Sequence, residues 1–236
     1  MDLQELGRYL DQLSSSLAPE ERGVLEARLQ GLASVFPFSE YEFILMFLRD
    51  RDVISFEDYE KLRDKYISAN RYLDLFDLAP RVFGQVWGEK HILDLDPRFQ
   101  KPDQSLDPKY DGEYDLWIEG AKVEVKSSRA IHSQKHGSLI SRALRYGSDD
   151  PFWMNFQQLK LDVCGVFVFI GVWVDRIVYW VMSNEDAKTS EYLSHQHRGG
   201  IEYQIGVTDK NLYAFDRFQV APGQLADGVL SLASEK

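Results

Sequence analysis

The spacing of apolar residues changes character along this chain, and the changes mark out its elements. Leu3–Leu17 and Pro19–Val35 place apolar residues three and four apart, the period of an amphipathic helix, and Pro19 suits a helix start. Ser39-x-x-Glu42 is a capping-box pattern ahead of the apolar run Phe43–Leu48. Ser55 is placed to cap a further helix through Tyr59, Leu62, Tyr66 and Ile67. Residues 1–78 thus read as a helical subdomain for packing or dimerisation. Ala79-Pro80 opens another helix over Arg81–His91, and His91–Tyr110, rich in Pro and Asp, reads as irregular.

Beyond that loop the period drops to two. Asp115–Ile118 and Ala121–Lys126 flank Glu119-Gly120, a pair fit for a tight hairpin turn. Pro151–Lys160 reads as a short helix. Leu161–Val174 and Arg176–Ser183 are nearly unbroken apolar runs, as expected of central strands covered on both faces. From Asn184 the pattern predicts a short helix, a polar loop at Ser194–Gly200, a strand near Tyr203–Val207 and a loose C-terminus. The expected fold is α/β: a central mixed β-sheet flanked by helices over residues 79–236, behind the N-terminal helical subdomain.

The hairpin sorts its side chains in an unusual way. Counting from the turn pairs Ile118 with Ala121, Trp117 with Lys122, Leu116 with Val123 and Asp115 with Glu124. One face is Leu116, Ile118, Ala121, Val123 and Val125, fit to cover a core; the other is Asp115, Trp117, Lys122, Glu124 and Lys126. Opposed carboxylates on paired strands repel. A divalent cation between them reverses the sign, and hard carboxylate oxygens are what Mg²⁺ takes. Lys126 falls on the same face, beside that cation. Charges scattered on a solvated strand are the plainer alternative.

Composition narrows the picture. The chain has 236 residues, 44% hydrophobic, enough for a full core. Its longest apolar run, Val163–Val174, is too short to span a bilayer, and the first residues are acidic and amphipathic. A soluble, cytoplasmic protein is expected, with Cys164 a buried thiol. The net charge of −11 argues against indiscriminate nucleic-acid binding. Yet Lys126–Gly147 holds no acid, and carries Lys126, Arg129, Lys135, Arg142 and Arg145. Such a basic strip next to the hairpin is what a phosphate backbone requires.

Asp115, followed by Glu124-Val125-Lys126 on the next strand, resembles the active-site pattern of the PD-(D/E)XK nuclease superfamily, and most closely that of type II restriction endonucleases. Tyr114 stands where that family usually has a proline. The resemblance implies a restriction-endonuclease-like core over roughly residues 80–183. It implies Asp115 and Glu124 as metal-binding acids, Lys126 as the lysine that positions the attacking water, and the Val125 carbonyl as a further ligand. Glu89, on the preceding helix, matches an acid that many members direct into the site. Mg²⁺ as cofactor, double-stranded DNA as substrate and a homodimer as assembly follow from the same likeness. For base reading, Gln196, His197, Arg198 and Gln204 supply suitable donors and acceptors, while Arg129, Lys135, Arg142 and Arg145 are the expected phosphate contacts. A repair nuclease of the same superfamily and a non-catalytic DNA-binding protein are the alternatives.

Overall fold

In the computed structural model, residues 3–30, 40–197 and 201–234 are described. The chain divides into two compact units, residues 1–77 with 138–141, and residues 78–137 with 142–236. The first unit packs four helices: α1 (Leu3–Ser14), α2 (Pro19–Gln30), α3 (Glu40–Arg49) and α4 (Phe56–Ala69). Ser55 caps α4 in a reciprocal box, accepting the Asp58 N–H while the Asp58 side chain accepts the Ser55 N–H. Leu10, Leu45, Leu48, Leu62 and Tyr66 are buried in this unit. The capping box expected at Ser39 lies outside the described residues.

The second unit opens with a π-helical turn over Val82–Gly88 that runs into α5 (Glu89–Leu95). Two sheets follow. The first is mixed, in the order β1 (Leu116–Ile118), β2 (Ala121–Arg129), β5 (Val166–Val172), β6 (Ile177–Ser183), β9 (Gln219–Val220). The second is antiparallel, in the order β3 (Ile131–His132), β4 (Phe152–Leu159), β8 (Ile201–Thr208), β7 (Leu193–His197). Helices α6 (Asn184–Thr189) and α7 (Leu225–Ala233) complete the unit. Every residue of β5 is buried and all but the ends of β6, as continuous apolar runs require. The inner face of the second sheet, with Met154, Phe156, Ile205 and Val207, closes over Phe167, Phe169 and Trp180 of the first. No helix among the described residues is long and apolar enough to cross a membrane.

Four expectations are corrected. Residues 152–159 form strand β4 and not a helix: Phe152, Met154 and Phe156 turn inward while Trp153 and Gln157 stay exposed, a period of two. Residues 193–197 are edge strand β7 and not a loop. The C-terminal stretch is ordered through α7, whose Leu225, Ala226 and Val229 are buried. The sheet core is correspondingly two sheets where one was expected.

Candidate active site

The β1–β2 hairpin forms in the register set by its turn, with Leu116 opposite Val123, Trp117 opposite Lys122 and Ile118 opposite Ala121. Glu119 and Gly120 take φ of 45° and 92°, the double left-handed turn whose twist matches a hairpin; only the second is free of a side-chain penalty. Leu116, Ile118, Ala121, Val123 and Val125 are all buried on one face. That burial fixes the other face, because slipping β2 by one residue would turn Glu124 and Lys126 away from Asp115 and onto the apolar side.

Asp115 sits just before β1, its N–H donating to the Val123 carbonyl at 3.1 Å. Its side chain reaches across: Oδ2 accepts the Val125 N–H at 2.9 Å. Since strand alternation points the N–H and C=O of one residue to the same side, the Val125 carbonyl also faces Asp115. Glu124 is fully buried, at 0% exposure. Its Oε2 accepts the Lys160 N–H at 2.7 Å, and its Oε1 forms an ion pair with Lys126 Nζ at 2.8 Å. Burial pushes the Glu124 carboxyl above its ordinary range, with Asp115 adding to the rise and Lys126 opposing it.

Each carboxylate therefore commits one oxygen to a backbone N–H and keeps the other. The two that remain, Asp115 Oδ1 and Glu124 Oε1, both lie 3.9 Å from Lys160 Nζ. Glu124 Oε1 is buried without a hydrogen bond of good geometry, despite its close ion pair. A buried carboxylate oxygen met only by a lysine ammonium, beside a second carboxylate, fits a hard cation such as Mg²⁺. The protein ligands it offers are Asp115, Glu124 and the Val125 carbonyl. Among the described residues no three His, Cys, Asp or Glu side chains gather into a metal site on their own.

The surroundings brace this arrangement. Tyr114 is buried and its hydroxyl donates to Asp107 Oδ2 at 3.1 Å, while Lys122 Nζ reaches the same oxygen at 2.8 Å. Burial, reinforced by Asp107, pushes the Tyr114 phenol up to about 12. Cys164 is a free buried thiol, raised to about 12 by burial and then by Glu124 and Asp115, so it carries no nucleophilic role.

The remaining expected residues divide. Glu89 stands at the start of α5 and is paired with Lys101. Arg129 is only 8% exposed: its guanidinium donates to the Leu78 carbonyl at 2.8 Å and lies over the Phe83 ring. Burial pulls it down to about 10. Arg129 is thus a structural cation, not a presented phosphate contact. Arg142 donates from Nε and Nη2 to the His132 carbonyl, and Arg145 lies 3.5 Å from Asp175. Lys135 is exposed.

On the outer face of the second sheet, Gln204 Oε1 accepts from Asn155 Nδ2 at 2.9 Å and from Gln196, and Gln204 Nε2 donates to Ser194 Oγ at 3.2 Å. The two glutamines are thus held in one amide array. His197 ends β7, and Arg198 lies outside the described residues. Sequence reasoning missed Lys160, and β4, which delivers it, carried the signal in its alternating Phe152, Met154 and Phe156. Compared with known proteins, the chain matches no family model, no curated protein and no solved structure.

Proposed function

We propose that this protein is a Mg²⁺-dependent endonuclease that hydrolyses phosphodiester bonds of double-stranded DNA at specific sequences, in the manner of a type II restriction enzyme, and that it works as a homodimer in the cytoplasm. The observation that carries the reading is the pair of oxygens not bonded to backbone, Asp115 Oδ1 and Glu124 Oε1, which among the described residues share only lysine ammonium groups as neighbours: Lys126 on Glu124 at 2.8 Å and Lys160 at 3.9 Å from both. The likeness of Asp115 and Glu124-Val125-Lys126 to the nuclease pattern supports the same conclusion.

Each residue has a derivable task. Asp115, Glu124 and the Val125 carbonyl hold the cation. When bound, it supplies Lewis-acid stabilisation of the charge that builds on the phosphate oxygens. Lys126, held against Glu124 and mostly buried, keeps a fixed positive charge where an attacking water is to be oriented. The buried face of the hairpin keeps solvent from reaching Glu124 from behind, so its charge acts in a medium of low dielectric. Gln204, Gln196 and Asn155, now bonded to one another, are residue types that read adenine edges when those mutual bonds are exchanged for a base, which favours sequence-specific cutting over indiscriminate hydrolysis.

The test is incubation of the purified chain with a panel of plasmid and phage DNAs, in Mg²⁺ or in EDTA, beside Asp115→Asn and Glu124→Gln. Discrete fragments that need Mg²⁺ and vanish in both variants are expected. A smear or nick lost in the variants would move the reading to a structure-directed repair nuclease. Intact DNA throughout would leave a DNA-binding protein without catalysis.

A further inference from the structure

Lys160 reaches the site through a fault in β4. Gln158 takes φ of 59°, and the pairing of β4 with β8 shifts between Gln157 and Leu159. This bulge turns the next residues toward β2. The Lys160 N–H then meets Glu124 Oε2 at 2.7 Å, while its ammonium stands 3.9 Å from Asp115 Oδ1 and 3.9 Å from Glu124 Oε1. Those distances give attraction to both carboxylates and a hydrogen bond to neither.

We infer that Lys160 is the exchangeable counter-ion of the carboxylate pair: a divalent cation displaces its ammonium, which then contacts a nonbridging oxygen of the phosphate to be cut. The inference rests on the proposed role of Asp115 and Glu124 as cation ligands. Two carboxylates this close require positive charge whether or not a metal is bound, and Lys160 is the cation that faces both. Lys126 is not the one to leave. It is bonded at 2.8 Å and its side chain is 19% exposed, against 38% for Lys160.

The anchor of Lys160 is its backbone, so its side chain can swing away while the N–H keeps Glu124 in place. A flexible four-carbon stem carrying a point charge suits such an exchange better than a planar guanidinium. The movement needs no change in the strand, because χ rotations alone carry the ammonium toward solvent.

The experiment is calorimetric titration of Ca²⁺ into the full chain without DNA, for wild type, Lys160→Met and Lys160→Gln, with circular dichroism as the folding control. Removing the internal competitor is expected to tighten Ca²⁺ binding about tenfold in both variants. With DNA and saturating Mg²⁺, the same variants are expected to cleave about tenfold more slowly, because the phosphate contact is lost. Unchanged or weaker Ca²⁺ binding in the folded variants overturns the displacement, and cleavage at the wild-type rate overturns the phosphate contact. If wild type cuts no DNA, the nuclease reading falls, yet the Ca²⁺ comparison still decides whether Lys160 competes for the pair. Absence of Ca²⁺ binding from all three proteins overturns both.

Discussion

Asp115 Oδ2 accepts the backbone N–H of Val125 at 2.9 Å, so the first acid is oriented by the strand that carries the second. Val125 lies between Glu124 and Lys126, and its own side chain is buried. The three polar groups therefore share one rigid reference, and a disturbance of β2 moves all of them together. A carboxylate bonded to a backbone N–H is worth about 1.5–3 kcal/mol, enough to hold Asp115 in one rotamer.

Glu124 should reveal itself in the pH dependence of stability. Its carboxyl is raised from 4.5 by burial, so the folded chain holds that proton more tightly than the unfolded chain does. In the window from about 4.5 up to the raised value the folded state binds more protons, and stability falls as pH rises. Glu124→Gln removes this slope. The melting midpoint of the metal-free variant, relative to wild type, is expected to climb as pH rises above about 4.5. Added Ca²⁺ should raise the midpoint of wild type and leave the variant's unmoved. A difference that stays flat with pH would contradict the assignment.

Arg129 and Lys135 sit in the same acid-free strip but should behave oppositely. Lys135→Ala is expected to leave urea stability unchanged and to reduce the slope of log affinity against log salt by about 1 on DNA. Arg129→Ala, which strips a buried hydrogen bond and a ring contact, should cost roughly 2–4 kcal/mol of stability. A salt slope altered equally by both changes would mean that Arg129 meets phosphate after all.

At Gln158 the left-handed backbone gives a strain test of the bulge. Glycine there should stabilise the chain by up to about 1 kcal/mol, and valine should destabilise it by roughly 1–3 kcal/mol. Valine should also slow DNA cleavage, because it favours straightening the segment that delivers Lys160. Denaturant midpoints and initial rates measured together separate this from a general loss of fold.

Gly171 tests the core between the sheets. A Cβ added there would lie 2.5 Å and 2.6 Å from ring atoms of Trp180, itself buried and in edge contact with Trp173, Phe156 and Phe215. Trp173 lies 3.1 Å from the same added Cβ, and both rings are buried. Gly171→Ala is expected to cost about 1–3 kcal/mol in chemical denaturation, with no direct effect on the face that carries Asp115 and Glu124.

What could be read beforehand was local. The Glu119-Gly120 turn fixes the hairpin register within eight residues, and with it the sorting of Asp115, Glu124 and Lys126 from the buried face. The capping serine of α4 and the unbroken apolar runs of β5 and β6 are equally short-range. Lys160 is different, since its meeting with Glu124 depends on a bulge and on tertiary placement of β4. The end of that strand and the residue after it, 155–160, are helix-compatible, and they mask the alternation of Phe152, Met154 and Phe156. β7 was hidden because an edge strand wet on its outer face can be almost wholly polar. Arg129 shows the limit of charge patterning: an acid-free strip looks basic whichever way each cation points, and here Phe83 and the Leu78 carbonyl claim one of them.

Glu124 and Lys160 are 36 residues apart, joined by β2, β3, their connection to β4, and β4 itself. Two contacts on this return path act as a ruler: the strand pairing of His132 with Phe152, and the Asn155 N–H donating to Ser128 Oγ at 2.9 Å. Extra residues inserted in the exposed stretch 135–137 would lengthen the connection without changing the measurement. Deleting a single residue inside β4 would turn the far end of the ruler over and present the wrong side chain to Glu124. The alignment of the two residues thus tolerates added length in that exposed stretch and is intolerant of change in the strand.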